Sequence, residues 1–144
     1  MKNIIVALFF TFSALTNDAK AQTVPPISDT LTYLQSIVNN KAHFIGHPFS
    51  VLMDSLQIQI KFFSPFAKIH HDNNKETSTS FSFYFPITHE EMYLTYPKLE
   101  VFWQPYLNIN QSLIFYNQFR SVGWNPTIKS HYSSGIITDI RVRP

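Results

Sequence analysis

The sequence predicts an α+β domain in which N-terminal helices pack on one face of a mainly antiparallel sheet of four to five strands. Apolar residues recur at helical spacing up to residue 56, and from residue 57 the period changes to alternation. The alternating stretches are rich in aromatic and β-branched residues, the types that suit a pleated, half-buried surface. Helices and strands fall in separate runs, which favours helices laid over an antiparallel sheet. The strands are too short and the helices too few for a doubly wound parallel sheet.

Residues 1–21 read as a secretory signal peptide. Lys2 gives a basic start, residues 4–15 are apolar except for Thr11 and Ser13, and Ala19-Lys20-Ala21 supplies small residues for cleavage before Gln22. Asn17, Asp18 and Lys20 interrupt the apolar stretch well short of the roughly 20 residues a membrane span needs. The expectation is therefore an exported protein, periplasmic or secreted, with no stable membrane insertion once the signal is removed. Residues 22–144 are expected to form a single small globular domain.

Pro25 and Pro26 resist helix, so residues 22–27 read as a trailing leader. Ser28 or Asp29 caps a first helix whose apolar face is Leu31, Leu34, Ile37 and Val38, ending at Asn39-Asn40. Gly46 and Pro48 break the chain, and Phe49, Leu52, Met53 and Leu56 mark a second helix over 48–56. Ile58, Ile60 and Phe62 then alternate with Gln57, Gln59 and Lys61, predicting a strand over 57–62. Residues 64–77 turn polar and read as an exposed connection.

A second strand is expected over 78–85, with Phe81, Phe83 and Phe85 on one face. Residues 87–97 are compatible with a helical turn at 89–93 or with extended chain before Pro97. Leu99, Val101 and Trp103 alternate with polar or outward positions in a third strand that stops at Pro105. The aromatic run LIFYNQF at 113–119 suggests a fourth strand. Asn125-Pro126 and Gly135 bound a short helix, at most one being inserted among the strands, and residues 136–143 alternate again as a final strand.

Composition excludes several chemistries. The chain has no cysteine, which removes disulfides, thiol nucleophiles and thiolate metal sites, and leaves stability to a core drawing on 7 Tyr, 2 Trp and those of the 14 Phe that remain once Phe9, Phe10 and Phe12 leave with the signal. With 3 glycines, none paired at the required spacing, it has no dinucleotide loop, phosphate loop or G-x-S-x-G elbow. No cofactor is expected. The formal net charge of +2 includes Lys2 and Lys20 of the leader, so the domain itself carries no field for nucleic acid.

His43 and His47 are four apart but straddle Gly46, and His70-His71-Asp72 sits in the polar connection, so neither group supplies a complete metal site. His89-Glu90-Glu91 begins like H-E-x-x-H, but Tyr93 stands where the second histidine is required. Asn110-Gln111-Ser112 fits a glycosylation sequon, and Arg141 and Arg143 form a small basic strip on the last strand.

Charged residues make up 14% of the chain, well under the usual ~25%, leaving a surface of small polar residues and aromatic rings. The expected function is a non-catalytic binding or interaction module with an uncharged aromatic surface, its candidate residues Tyr96, Trp103, Tyr106 and Trp124. Its partner would be a protein or an envelope glycan. The alternative is a small secreted hydrolase using Glu90, Glu91, Glu100 or His89.

Overall fold

Asp29 accepts a hydrogen bond from the Thr32 amide at 3.2 Å and so starts α1, Thr30–Asn39, which turns Leu34 and Ile37 into the core. In the computed structural model residues 29–69, 72–85 and 96–143 are described. The predicted leader, His70, His71 and residues 86–95 lie outside these, and with them His89, Glu90 and Glu91. A 3₁₀ turn, Lys41–His43, leads to α2, Phe49–Ser55, whose Phe49 and Leu52 are fully buried.

The sheet runs in the order β1-β2-β3-β4, every pairing antiparallel, with β1 at Phe62–Phe66, β2 at Lys75–Ser82, β3 at Lys98–Asn108 and β4 at Ile137–Arg143. Between β3 and β4 come α3, Ile109–Gln118, and α4, Pro126–Ser133. Among the described residues this gives four α-helices and four strands, the α+β layering that the sequence predicts. No helix among the described residues is long and apolar enough to cross a membrane.

Helices and sheet meet over one core, which includes Leu34, Phe49, Phe63, Phe81, Val101, Trp103, Ile128, Tyr132 and Ile140. Its centre is aromatic. Phe49 stacks on Phe81 at 4.6 Å between centroids, Trp103 lies edge-on to Phe49 at 5.4 Å, and Tyr132 stacks on Trp103 at 5.9 Å. Each such ring contributes about 2 kcal/mol by leaving water, so a chain without disulfides can offset much of its ordering entropy here.

Several boundaries depart from expectation. The first strand spans Phe62–Phe66 rather than 57–62, so it takes in Pro65 and the start of the predicted polar connection. Pro65 is tolerated because β1 is an edge strand and its missing donor costs no ladder bond on the open side. The third strand runs through Pro105 to Asn108. Pro105 falls just past Gln104, whose amide makes the last bond on the β4 side, to the Ile136 carbonyl at 3.1 Å.

The LIFYNQF run is helix, not strand. Asn108 caps α3 by accepting from the amides of Asn110 and Gln111, at 3.0 and 3.4 Å. Ile109, Ser112, Tyr116 and Phe119 then recur at helical spacing, with Ile109 and Ser112 buried. The chain thus inserts two helices between β3 and β4 where at most one is expected. In α4 the anticipated cap holds: Asn125 accepts from the Thr127 and Ile128 amides, and Pro126 takes the first turn.

Candidate functional site

The register between β2 and β3 breaks between Glu76 and Ser78, where Glu76 lies opposite Leu107 but Ser78 lies opposite Phe102. This irregularity decides where side chains go. Ser78 bonds Glu100 on the outer face of the sheet at 2.7 Å, whereas Glu76 turns into the core with Thr79.

Glu76 is fully buried. Thr79 and Tyr132 donate hydroxyl hydrogens to its Oε1, the latter at 3.1 Å, and Ser112 donates to its Oε2. The Trp103 indole N–H donates to Thr79 Oγ1 at 2.8 Å, and His131 Nε2 lies 2.9 Å from Ser112 Oγ. No lysine or arginine among the described residues pairs with this carboxyl. Burial therefore pushes its pKa up to about 7, against the opposing pull of the Ser112, Thr79 and Tyr132 hydroxyls. Burial also lowers the pKa of His131 and, with the Glu76 charge, raises that of Tyr132.

Two concavities flank this network. A groove of about 670 Å³ runs between the residue 56–61 segment after α2 and the turn before α4. Phe85, Val122 and Trp124, with Met53, Leu56, Ile58 and Ile60, give its apolar wall, Gln57 and Gln59 its amides, and Lys61 and Lys129 its charges; among the described residues no carboxylate lines it. The Trp124 amide donates to the Lys61 carbonyl at 2.9 Å, which locks the two walls together. A shallower hollow of about 590 Å³ lies between α3 and α4, lined by Gln111, Phe115, Pro126, Thr127, Ser130 and His131.

The anticipated aromatic residues are dispersed. Trp103 is 1% exposed and belongs to the core, where its ring touches Phe49, Phe81 and Tyr132. Trp124 is half-buried: it packs edge-on to Phe63 and Phe81, stacks on Tyr132, and also lines the groove. Tyr96 is half-buried and stacks on Tyr84 at 4.1 Å, and Tyr106 is exposed on β3. Neither tyrosine has a ring contact with the two tryptophans.

Glu100, the described member of the carboxylate set considered for hydrolysis, is 1% exposed and bound by Lys68, by Arg143 Nε at 2.5 Å and by Ser78. Burial raises its pKa, but the hydrogen bonds from Arg143, Lys68 and Ser78 prevail and hold it low. Arg141 pairs with Asp139 at 2.9 Å and lies over Phe102, so the basic strip of the last strand is matched by acids. His43 and His47 are exposed, and among the described residues no group of three or more His, Cys, Asp or Glu side chains converges.

Glu76, Ser112 and His131 carry no signal in the sequence that joins them. Glu76 falls in a stretch that reads as polar loop, and Ser112 in a sequon on a segment that reads as strand. His131 sits on α4 beside Tyr132, and only the turn of α3 toward β2 brings it to Ser112. Compared with protein-family models, curated protein sequences and solved structures, the chain matches none of them.

Proposed function

We propose that this chain is an exported binding domain whose groove beside Trp124 takes an acidic envelope glycan without acting on it chemically. The observation that carries the reading is the lining of that groove: aromatic rings of Trp124 and Phe85, amides of Gln57 and Gln59, and cations of Lys61 and Lys129, with no carboxylate among the described residues. Sugar rings stack on aromatic faces, their hydroxyls bond amides, and acidic substituents pair with lysine, whereas a cationic ligand would meet only like charge. A protein partner is the competing reading, because uncharged aromatic surfaces also suit interfaces.

The test is a fluorescence titration of the purified domain with uronic-acid oligosaccharides, neutral oligosaccharides and an acidic unstructured peptide. Trp103 is shielded in the core, so a change on binding reports chiefly Trp124. Acidic oligosaccharides are expected to bind best, with Trp124→Ala weakening them by about tenfold, near the worth of one lost ring contact. Preference for the peptide would replace the glycan by a protein partner, and no saturable response to any of them would end the reading. N-terminal sequencing of protein recovered from the periplasm or medium, expected to begin at Gln22, tests export.

A further inference from the structure

The hydrogen-bond chain from Glu76 has a direction. Ser112 has one hydroxyl hydrogen and gives it to Glu76 Oε2, so the 2.9 Å contact to His131 is satisfied only when His131 Nε2 carries a hydrogen and donates to Ser112 Oγ. When Glu76 is protonated the chain reverses: the acid donates to Ser112 Oγ, and Ser112 donates to His131 Nε2. Moving a proton along it needs only small shifts of hydrogens between bonded atoms. One end is the sealed core, and the other is a histidine in the lining of the hollow between α3 and α4.

His131 Nδ1 has no hydrogen-bond partner among the described residues, and the ring is held edge-on by Phe115 at 5.1 Å and Tyr132 at 4.8 Å. A fixed imidazole with one nitrogen engaged and the other open is the arrangement a general base requires. Among the described residues His131 is the one titratable side chain lining the hollow, while Gln111, Thr127 and Ser130 offer donors and Phe115 and Pro126 an apolar floor. The matching ligand is small and neutral, with an oxygen to be hydrogen-bonded.

We propose that His131, backed by Ser112 and Glu76, is the general base of a proton-transfer site in this hollow, acting on small neutral carbonyl compounds with an acidic C–H bond. His131 Nδ1 takes the proton, the Nε2 hydrogen passes to Ser112 Oγ, and the Ser112 hydrogen passes to Glu76. The electron pair of the C–H bond becomes the enolate, and the negative charge leaves Glu76 as it appears on the substrate. His131 is the catalytic residue, and Ser112 and Glu76 are positioning residues that act through it. The other titratable group facing Glu76 is Tyr132, whose raised pKa keeps it a donor. Thr79 faces Glu76 from β2 and Ser112 from α3. The site shares no lining residue with the groove beside Trp124, so it stands or falls separately from glycan binding.

Two measurements test it on the full domain. The first follows the His131 imidazole by NMR against pH in wild type, Glu76→Gln and Ser112→Ala. Wild type is expected to titrate in two steps as it shares protons with Glu76, and both variants in one, with Glu76→Gln at the lower midpoint because the carboxylate charge is gone. The second uses 5-nitrobenzisoxazole, a neutral carbon acid that opens to a coloured phenolate when its C–H proton is removed. Wild type is expected to exceed His131→Gln by about 10²-fold, and the pH profile of the rate to shift in Glu76→Gln. Identical His131 titrations in all three proteins, or equal elimination rates for wild type and His131→Gln, would overturn the proposal.

Discussion

Trp103 donates its indole hydrogen to Thr79 Oγ1 at 2.8 Å, and Thr79 passes its own hydroxyl hydrogen to Glu76. The largest core side chain is thereby wired to the most deeply buried acid. The arrangement satisfies both polar atoms without a cation, and leaves the carboxyl easier to protonate than an ordinary glutamate. A residue placed only for stability at this point would be apolar, since burying an unpaired carboxylate costs more than hydroxyl donors return.

The pH dependence of folding follows from that burial. Glu76 has a folded pKa of about 7 against an ordinary 4.5, so between these values the native state holds a proton that the unfolded state has lost. Its contribution is fully present below the unfolded pKa and is lost as pH rises through the folded one. Wild type should lose about 3 kcal/mol relative to Glu76→Gln between about pH 4 and about pH 8. Urea denaturation of both proteins across that range measures it, and parallel curves would show that Glu76 does not change its proton on folding.

Glu100 behaves oppositely, because the partners on the outer face hold its pKa below the ordinary value. Its contribution is present above the unfolded pKa and is lost as pH falls through the folded one. Glu100→Gln should cost about 2 kcal/mol at neutral pH, less than a fully enclosed pair, because Lys68 and Arg143 are 41% and 50% exposed and regain water. Arg143→Gln should cost about 1 kcal/mol, since Lys68 and Ser78 still bind the carboxylate. Denaturant midpoints that rank the variants the other way would show the arginine, not the acid, to be the costlier loss.

Much of this fold is legible locally, and the failures share a cause. Asp29 and Asn125-Pro126 announce their helices because caps act within a few residues. Helix α3 is hidden because its buried stripe is interrupted by Ser112, polar for the sake of Glu76, a partner 36 residues away in sequence. Pro65 falls in a stretch that reads as polar connection and Pro105 reads as a strand end, and only the sheet order shows that one is on an edge strand and the other lies beyond the end of β4. The site is less legible still. Trp124 is recognisable as a candidate, but its groove depends on how residues 56–61 cross the turn before α4. The Glu76 cluster depends on a register break that no period in the sequence encodes.

That crossing makes a sharp prediction about two glycines. Gly46 and Gly123 both have left-handed backbone, with φ of 81° and 77°. A Cβ on Gly46 would meet nothing within 4 Å, but on Gly123 it would lie 2.5 Å from the Lys61 carbonyl oxygen and 3.0 Å from the Phe85 ring. Gly46→Ala therefore suffers only the conformational cost, about 1 kcal/mol. Gly123→Ala adds a clash with backbone that can be relieved only by separating Lys61 from Trp124, and should cost about 3 kcal/mol. The same separation breaks the 2.9 Å bond from the Trp124 amide to Lys61 and opens the groove between them. Amide hydrogen exchange is the direct measurement: Trp124 should lose protection in Gly123→Ala and keep it in Gly46→Ala. Equal destabilisation by the two substitutions, with Trp124 still protected, would mean that the groove walls are not held together at this point.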